Sequence, residues 1–326
     1  MAGPPVLYME QNVDTSSRDS ETYMHPDREL YFASAQREMD FRRHRMAPLS
    51  REELLLYVNV LKVESNDLSE LNLATLNTLI RAHVERIPFQ GIDAFVGHLP
   101  SLDDDSVFRK LIEQRRGGYC VELNNLFGRL LETLGFKFHI RAARTRWGRP
   151  LNTPLTPLGH MLFCVDLGDE GQYFADVGFG GPNPFKALPV EGEAAPYRTR
   201  RLDDEGNVEV AIKLTGSGSA SATWRPIYHV FSPPQKYIDF VQTYWFVSLH
   251  PRSLFRHTLV VGRFVDDSWL TLVDGRFSRR FISGQVEQRR IADADELIGL
   301  LHTEFGLKLD PDIDIDLFRW RIKSII

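Results

Sequence analysis

The sequence predicts an α+β protein whose helices come first, whose strands follow, and whose last part mixes the two. Apolar residues recur at helical spacing as far as Gly135, and a two-residue period then takes over. One more amphipathic stretch, residues 292–306, lies near the end of the chain. From the residues alone, the strand-rich middle can close into a barrel or stack as a sandwich.

The composition is that of an ordinary globular protein and excludes several classes. The 326 residues are 43% hydrophobic and 25% charged, which allows a core that needs no disulfide or metal. A net charge of -5 gives no support for nucleic-acid binding. No apolar run approaches the roughly 18 residues of a membrane span, and the start lacks the pattern of a secretory signal. With only Cys120 and Cys164, we expect a cytoplasmic protein with free thiols.

The changes of pattern predict four segments. Residues 1–47 are polar without a sustained period, and we expect an N-terminal extension that is partly disordered, although 27–45 could form one helix. Residues 48–135 are expected to form a helical domain, 136–235 a strand-rich domain and 236–326 an α/β domain. No internal repeat is visible.

Helix boundaries are marked by caps. Ser50 and Glu53 have the spacing of a capping box, and Pro88 ends the next helical stretch. The aspartates at 103–105 are typical of a third helix N-terminus, and Gly117 follows the arginines at its other end. We therefore predict three helices before the most unusual stretch of the chain.

That stretch is "RRGGYCVELNN", in which Cys120 follows two glycines and opens a helix that Gly135 ends. A thiolate is a good nucleophile and a thiol a poor one, and a helix N-terminus stabilises the thiolate. Cys120 is therefore the candidate nucleophile, although a lone cysteine is more often a small buried hydrophobe. Cys164, between Phe163 and Val165 in a strand, fits the core better.

Strand-like pieces follow Gly135, separated by a proline-rich stretch at 148–159 and by the turn "GDEG". They are "KFHIRAARTRW", "HMLFCVDL", "QYFADVGFG", "EVAIKLT", "WRPIYHVF", "HTLVVGRF" and "SWLTLV". His160 opens the second and Asp176 lies near the end of the third. A hairpin at "GDEG" would place both residues on neighbouring strands near one edge of the sheet.

A histidine near Cys120 could form a thiolate–imidazolium pair, and a third group usually orients such a histidine. His160 and Asp176 are the candidates for these two roles. Nothing in the local pattern brings Cys120 to them. A hydrogen-bonded histidine and a turn-closing aspartate remain open alternatives.

Metal and phosphate sites find little support. The chain has no HExxH motif and no paired CxxC motif. "TGSGSAS" lacks the Gly-Lys-Ser/Thr ending of a phosphate loop, and "DPDIDID" at 310–316 lacks the glycine and the final glutamate of a calcium loop. We interpret the second stretch as a solvated acidic turn, and we expect no metal and no permanently bound cofactor.

Taken together, "RGGYCVELN", "GHMLFCV" and "YFADVGFGG" resemble the arylamine N-acetyltransferase family. "RIPFQG" and "SLHPRSLF" also match, and the resemblance covers roughly residues 50 to 290. It implies a helical domain, a central β-barrel and a C-terminal α/β lid around a core like that of cysteine proteases. It also implies a ping-pong transfer from acetyl-CoA to an arylamine, arylhydrazine or arylhydroxylamine.

In that reaction Cys120 would carry the acetyl group as a thioester, His160 would act as base and Asp176 would orient it. Backbone N–H groups near Cys120 would stabilise the oxyanion. The resemblance further implies substrate-binding and supporting residues. Those lining the substrate and cofactor site would be Phe89, Tyr119, Gly178, Phe179, Gly180, Gly181 and Phe255, and those supporting it Arg116, Glu122 and Asn124.

The chain departs from the family pattern at Gln90 and Gly91, where Glu-Asn is common. That glutamate is expected to pair with an arginine like Arg116. Gln90 could hydrogen-bond Arg116 only as a neutral partner. The support of Arg116 is therefore open.

Other functions share the same residues. A relative that closes a lactam on a carrier-bound polyketide chain would keep the three catalytic residues, as would a transferase of malonyl or propionyl groups. A thiol hydrolase and a non-catalytic binding module are further alternatives. The expected partners are acetyl-CoA, or another acyl-CoA, and an aromatic amine or hydrazine, with no nucleic acid and no membrane. The acceptor and the oligomeric state are not readable from the sequence.

Overall fold

The computed structural model describes residues 46–64, 68–150, 152–215 and 222–326. These residues belong to one compact unit. Most of the predicted extension, including the helix considered at 27–45, lies outside the described residues, as does most of "TGSGSAS". Within the described ranges, no helix combines the length and the apolar character that crossing a bilayer requires.

The first part of the chain is helical, as predicted. Its helices are α1 (Arg51–Leu61), α2 (Leu73–Arg86), α3 (Ile92–Val96), α4 (Asp104–Phe108) and α5 (Cys120–Leu134), and a π-helical segment (Arg109–Glu113) continues α4. The Ser50 side chain accepts from the Glu53 N–H in a capping box. Asp103 caps α4, and Gly135 ends α5 in the left-handed region at φ 92°. The predicted caps at Ser50, Asp103 and Gly135 are confirmed. The third predicted helix ends at Glu113, before Gly117, and the short helix α3 was not predicted.

The middle of the chain forms an eight-stranded antiparallel sheet. Its strands are β2 (Lys137–Thr145), β3 (His160–Asp166), β4 (Gln172–Ala175), β5 (Leu188–Pro189), β6 (Gly192–Ala194), β7 (Tyr197–Arg201), β8 (Val208–Thr215) and β9 (Ala222–Val230). Their order is β5-β4-β3-β2-β9-β8-β7-β6, and the outer strands β5 and β6 contact each other. The sheet therefore curls into a nearly closed barrel rather than a sandwich.

The last part combines strands and helices, most of which pack around a second apolar core. Its strands are β10 (Val260–Val265), β11 (Ser268–Val273), β12 (Arg276–Phe281) and β13 (Val286–Arg290), and its helices are α6 (Val241–Leu249), α7 (Ala294–Thr303) and α8 (Ile315–Lys323). A short strand that the sequence did not predict, β1 (Phe89–Gln90), pairs with β10 and completes a five-stranded sheet. The predicted α+β class is confirmed. The boundaries 48–135, 136–235 and 236–326 stay predictions.

One predicted strand is shorter than expected. "QYFADVGFG" is a strand only as far as Ala175. Beyond it, side-chain oxygens instead of a neighbouring strand accept the backbone N–H groups. Asn124 accepts from Val177, Asp176 from Gly178, and Asn183 from Phe179. The segment therefore leaves the sheet at the position of the candidate aspartate.

Helix α5 packs directly on β3 because Gly128 allows a close approach. A Cβ atom at Gly128 would lie 2.7 Å from the Phe163 ring and 2.9 Å from the sulfur of Met46. Phe163 is fully buried in the middle of β3, so its ring has little room to move. The helix that begins at Cys120 is thereby held against the strand that begins at His160.

We predict opposite effects for two glycine substitutions in helices. Gly128→Ala should lower the free energy of unfolding by about 1–3 kcal/mol, because the added methyl group overpacks the contact with Phe163. Gly299→Ala in α7 meets no atom within 4 Å and should raise it by up to about 1 kcal/mol through helix propensity. Urea denaturation measures both. A stabilised Gly128→Ala variant would contradict the close packing of α5 on β3.

Candidate active site

Cys120 is the first residue of α5 and is half-buried. Tyr119, directly before it, has an extended backbone and donates its N–H to the Glu122 carboxylate at 3.1 Å. The thiol lies 3.8 Å from the carbonyl oxygen of Gly159, which directly precedes His160. The predicted position of the thiol at a helix N-terminus is confirmed.

The turn that leads to Cys120 is held against β1. Its Arg115 and Gly117 have φ angles of 57° and 63°, in the left-handed region that favours glycine. A Cβ at Gly117 would lie 2.5 Å from the carbonyl oxygen of Pro88. Gly118 accepts from the Gln90 N–H at 2.8 Å and donates to the Pro88 carbonyl at 3.3 Å. Gly117 is required by this close approach of backbone to backbone, whereas a Cβ at Gly118 would meet the side chains of Glu122 and Leu111.

His160 and Asp176 form a buried hydrogen-bonded pair. Their strands β3 and β4 are antiparallel, with Ala175 opposite Phe163. His160 Nε2 lies 2.6 Å from Asp176 Oδ2, which leaves Nδ1 as the other ring nitrogen. The predicted hairpin is confirmed, although both strands are interior strands of the barrel, so the pair lies at the ends of two strands and not at an outer strand.

The charges of this pair stabilise each other. Burial alone would lower the pKa of His160, but the Asp176 carboxylate raises it to about 10, and a hydrogen bond with Cys120 adds to the rise. Burial alone would raise the pKa of Asp176, but His160 holds it below its ordinary value. His160 is therefore an imidazolium in contact with both Asp176 and the Cys120 side chain at neutral pH.

Asn124, one turn after Cys120 on α5, connects the helix to both strands. Its Nδ2 donates to the Met161 carbonyl at 2.7 Å and to Asp176 Oδ1 at 3.1 Å, and its Oδ1 accepts from Val177. Asp176 Oδ1 also accepts from the Gly178 N–H at 2.9 Å. Both oxygens of Asp176 thus have fixed partners, which is what orienting a histidine requires.

Predicted aromatic residues lie next to Cys120 in sequence and beside His160 in space. Phe89 and Tyr119 lie 5.9 and 6.2 Å from the half-buried Phe255, measured between ring centroids. Phe179 stands edge-on to His160 at 5.3 Å. Phe89, Tyr119 and Phe255 therefore form one cluster of rings, and Phe179 contacts the imidazole of His160. Their contact with a substrate stays a prediction.

The glycines after Asp176 permit close contacts within the protein. A Cβ at Gly178 would lie 2.8 Å from the Cα of Cys120, and a side chain at Gly180 would collide with the Phe89 ring. At Gly181 the neighbours would be Phe179 and Trp147, at 3.0 and 3.1 Å. Close packing against the cysteine already accounts for Gly178. A close approach of the acyl donor to this backbone stays a prediction.

The support of Arg116, which the sequence left open, comes from two aspartates. Gln90 does not contact Arg116; its Nε2 donates to Asp93 Oδ2 at 2.9 Å and its Oε1 accepts from the Ile92 N–H. Arg116 instead contacts Asp93 at 2.8 Å and Asp310 at 2.6 Å. Asp93, three residues after Gln90, thus supplies to Arg116 the carboxylate that Gln90 lacks.

Four buried residues beside the site were not predicted from the sequence, namely Lys110, Asp93, Asn183 and Tyr228. Lys110 pairs with Glu122 at 2.6 Å, which fixes the group that caps α5. The Tyr228 ring lies 5.1 Å from His160, and among the described residues its hydroxyl has no hydrogen-bond partner. Of these four residues, only Lys110 could have been suspected from the sequence, because its charge lies among the apolar residues of "VFRKLI".

Metal chemistry finds no site in the described ranges. No group of three or more His, Cys, Asp or Glu side chains there is arranged to hold an ion. The arrangement of thiol, imidazolium and carboxylate is suited to nucleophilic catalysis by cysteine.

We predict that Asp176→Asn alters how stability depends on pH. The folded pKa of His160, about 10, exceeds its unfolded value of about 6.5. The pair's contribution to the free energy of unfolding is therefore complete below about pH 6.5 and is lost as the pH rises towards 10. Asp176→Asn should remove this loss, whereas Asp166→Asn, at the exposed end of β3, should retain it. Denaturation at about pH 6 and pH 9.5 measures the free energy of unfolding at each pH. An equal change in this free energy between the two pH values in all three proteins would contradict the prediction.

Comparison with known proteins agrees with the fold. The sequence profile of the N-acetyltransferase family matches residues 72–313. The arylamine N-acetyltransferase of Mycolicibacterium smegmatis is 33% identical over 246 residues, which cover 73% of this chain and 86% of that protein. A Salmonella typhimurium protein named arylamine N-acetyltransferase / N-hydroxyarylamine O-acetyltransferase is 35% identical over 236 residues, which cover 71% of this chain and 81% of that protein.

A solved structure gives the same result. Mycobacterium marinum arylamine N-acetyltransferase in complex with CoA superposes with a TM-score of 0.75 at 26% identity, covering 83% of this chain and 99% of that one. The match spans the helices, the barrel and the α/β part, and the family profile includes the positions of Cys120, His160 and Asp176. The chain therefore belongs to the arylamine N-acetyltransferase family of acyltransferases.

Proposed function

We propose that this enzyme transfers an acetyl group from acetyl-CoA to an arylamine, arylhydrazine or arylhydroxylamine through a thioester on Cys120. The observation that carries the proposal is the position of the Cys120 thiol, 3.8 Å from the carbonyl oxygen directly before His160, beside the buried pair that His160 forms with Asp176 at 2.6 Å. Family membership supports the substrates, since relatives bear the name arylamine N-acetyltransferase and one solved structure contains CoA.

The first half-reaction loads the enzyme. The Cys120 thiolate attacks the carbonyl carbon of acetyl-CoA, and the carbon–sulfur bond to CoA breaks as the tetrahedral intermediate collapses. The CoA thiolate takes the proton of the His160 imidazolium and leaves as the thiol. The N–H groups of the first turn of α5 have no partners inside the helix, so they are available to stabilise the oxyanion.

The second half-reaction transfers the acetyl group. The acceptor nitrogen, or the oxygen of a hydroxylamine, attacks the acetyl-Cys120 carbonyl and loses its proton to the now neutral His160. The Cys120 thiolate leaves, which restores the starting ion pair. His160 thus gives one proton and takes one per turnover, and acetyl-CoA is a co-substrate.

Asp176 and the aromatic residues have supporting roles in this proposal. Asp176 keeps the imidazole oriented and favours its charged form, with Asn124 and Gly178 fixing the carboxylate. Phe89, Phe179 and Phe255 would bind the arene of the acceptor, because Phe179 lies beside His160, Phe89 packs near Phe255, and aromatic pairs attract each other. Tyr119 would form the wall behind Phe255.

Intact-protein mass spectrometry tests the proposal. Mixing the enzyme with acetyl-CoA and no acceptor should add one acetyl group, and an aromatic amine or hydrazine should then remove it, because the thioester is an intermediate. Cys120→Ala should show no adduct. Cys164→Ala, at a buried thiol in the middle of β3, is the matched control and should retain the adduct.

Three results would overturn the proposal. An acetyl adduct on Cys120→Ala would exclude Cys120 as the nucleophile. If acetyl-CoA gave no adduct while a malonyl, propionyl or carrier-bound thioester did, the donor would be wrong and the site would serve another acyl transfer. Loss of the adduct to water as fast as to an amine would indicate a hydrolase.

A further inference from the structure

A segment near the C-terminus lies against the turn that leads to Cys120. We call residues 307–310 the strap. A Cβ at Gly117 would lie 2.9 Å from the Leu307 side chain, and the Lys308 N–H donates to the Arg115 carbonyl at 3.1 Å. Arg115 has a left-handed backbone conformation that residues other than glycine rarely adopt. The turn therefore depends on the contacts that hold it.

The strap also brings a charge to the turn. Asp310 begins the stretch "DPDIDID", which we interpreted from the sequence as a solvated acidic turn. That interpretation was wrong for Asp310, whose side chain is only 15% exposed and lies 2.6 Å from Arg116. Asp312, two residues further, is exposed and fits the original interpretation.

The contact between Asp310 and Arg116 is the outermost in a row of contacts between oppositely charged side chains. Arg116 also contacts Asp93 at 2.8 Å, and Asp93 contacts Lys110 at 2.8 Å. Lys110 in turn contacts Glu122 at 2.6 Å. Because Glu122 accepts the N–H of Tyr119, the row ends at the residue before Cys120.

Two inner members of this row, Asp93 and Lys110, are buried and held in their charged forms. Burial alone would raise the pKa of Asp93, but the Lys110 charge and its neighbours hold it well below its ordinary value. Burial alone would lower the pKa of Lys110, but Asp93 and Glu122 raise it above its ordinary value. Removing one member of such a row leaves a buried charge without compensation, which disturbs the neighbouring backbone.

We propose that Asp310 and Asp93 are positioning residues that hold Arg116, and with it the turn from Arg115 to Gly118, in the conformation that presents Cys120. Through the strap, the C-terminal part of the chain helps to hold the nucleophile in position. The inference rests on the proposed function only in taking Cys120 as the nucleophile.

Alkylation of Cys120 by iodoacetamide tests the role of Asp310 without acetyl-CoA. Asp310→Asn keeps the shape of the side chain and removes its negative charge. It should lower the alkylation rate constant of Cys120 about tenfold at neutral pH. The matched control is Asp312→Asn in the same turn, which should alkylate like the wild type. Cys164→Ala in every variant restricts the signal to Cys120.

A second pair of variants tests whether the buried carboxylate itself is required. Asp93→Asn leaves Lys110 and Arg116 without their shared partner and should lower the rate constant by more than tenfold. Gln90→Glu combined with Asp93→Asn returns a carboxylate to the same cluster, where the introduced carboxylate can accept from the introduced amide. This double variant should recover most of the lost rate, which a general loss of stability would not allow.

The outcomes separate the two proposals. If Asp310→Asn alkylates as fast as Asp312→Asn, or slows only at temperatures where it unfolds, the strap has no positioning role. Failure of the double variant to exceed Asp93→Asn would also overturn the inference. If the wild type alkylates rapidly at Cys120 and responds to Asp310→Asn but forms no acetyl adduct, the positioning role stands and the acetyl donor is wrong.

Discussion

The arrangement of the site depends on the contact between the N-terminal turn of α5 and the ends of β3 and β4. Asn124 makes this contact with all of its polar atoms, reaching Met161, Asp176 and Val177. Gly178 lies so close to Cys120 that no side chain fits between them. A helix that carries the proposed nucleophile and a hairpin that carries the His–Asp pair are thereby fixed relative to each other.

Two buried groups of charges flank that contact, and each is internally compensated. On the barrel side, the His160 imidazolium faces Asp176. On the other side, Lys110 faces Asp93 and Glu122. Burying charges costs free energy that their mutual attraction offsets only when the geometry is favourable. Such pairs are therefore better explained by the orientation they give to Cys120 and His160 than by a gain in overall stability.

Much of this site was predictable because its signals are local. Helical periodicity and glycines placed Cys120 at a helix N-terminus, and the "GDEG" turn placed His160 beside Asp176. Contacts between distant parts of the chain leave no such signal. The pairing of Arg116 with Asp310, the close approach of Gly178 to Cys120 and the position of Tyr228 beside His160 all depend on how separate elements pack. The interpretation of Asp310 failed for the same reason, since it considered only neighbours in sequence.

The most direct test of the central claim is the alkylation rate constant of Cys120, measured from about pH 5 to pH 10 in the wild type and in His160→Ala. If the imidazolium stabilises the thiolate, the wild type alkylates rapidly near neutral pH. The variant is then slow there and rises only towards alkaline pH, as a free thiol with a pKa of about 8.5 does. Superimposable profiles of the two proteins would contradict the pairing of Cys120 with His160.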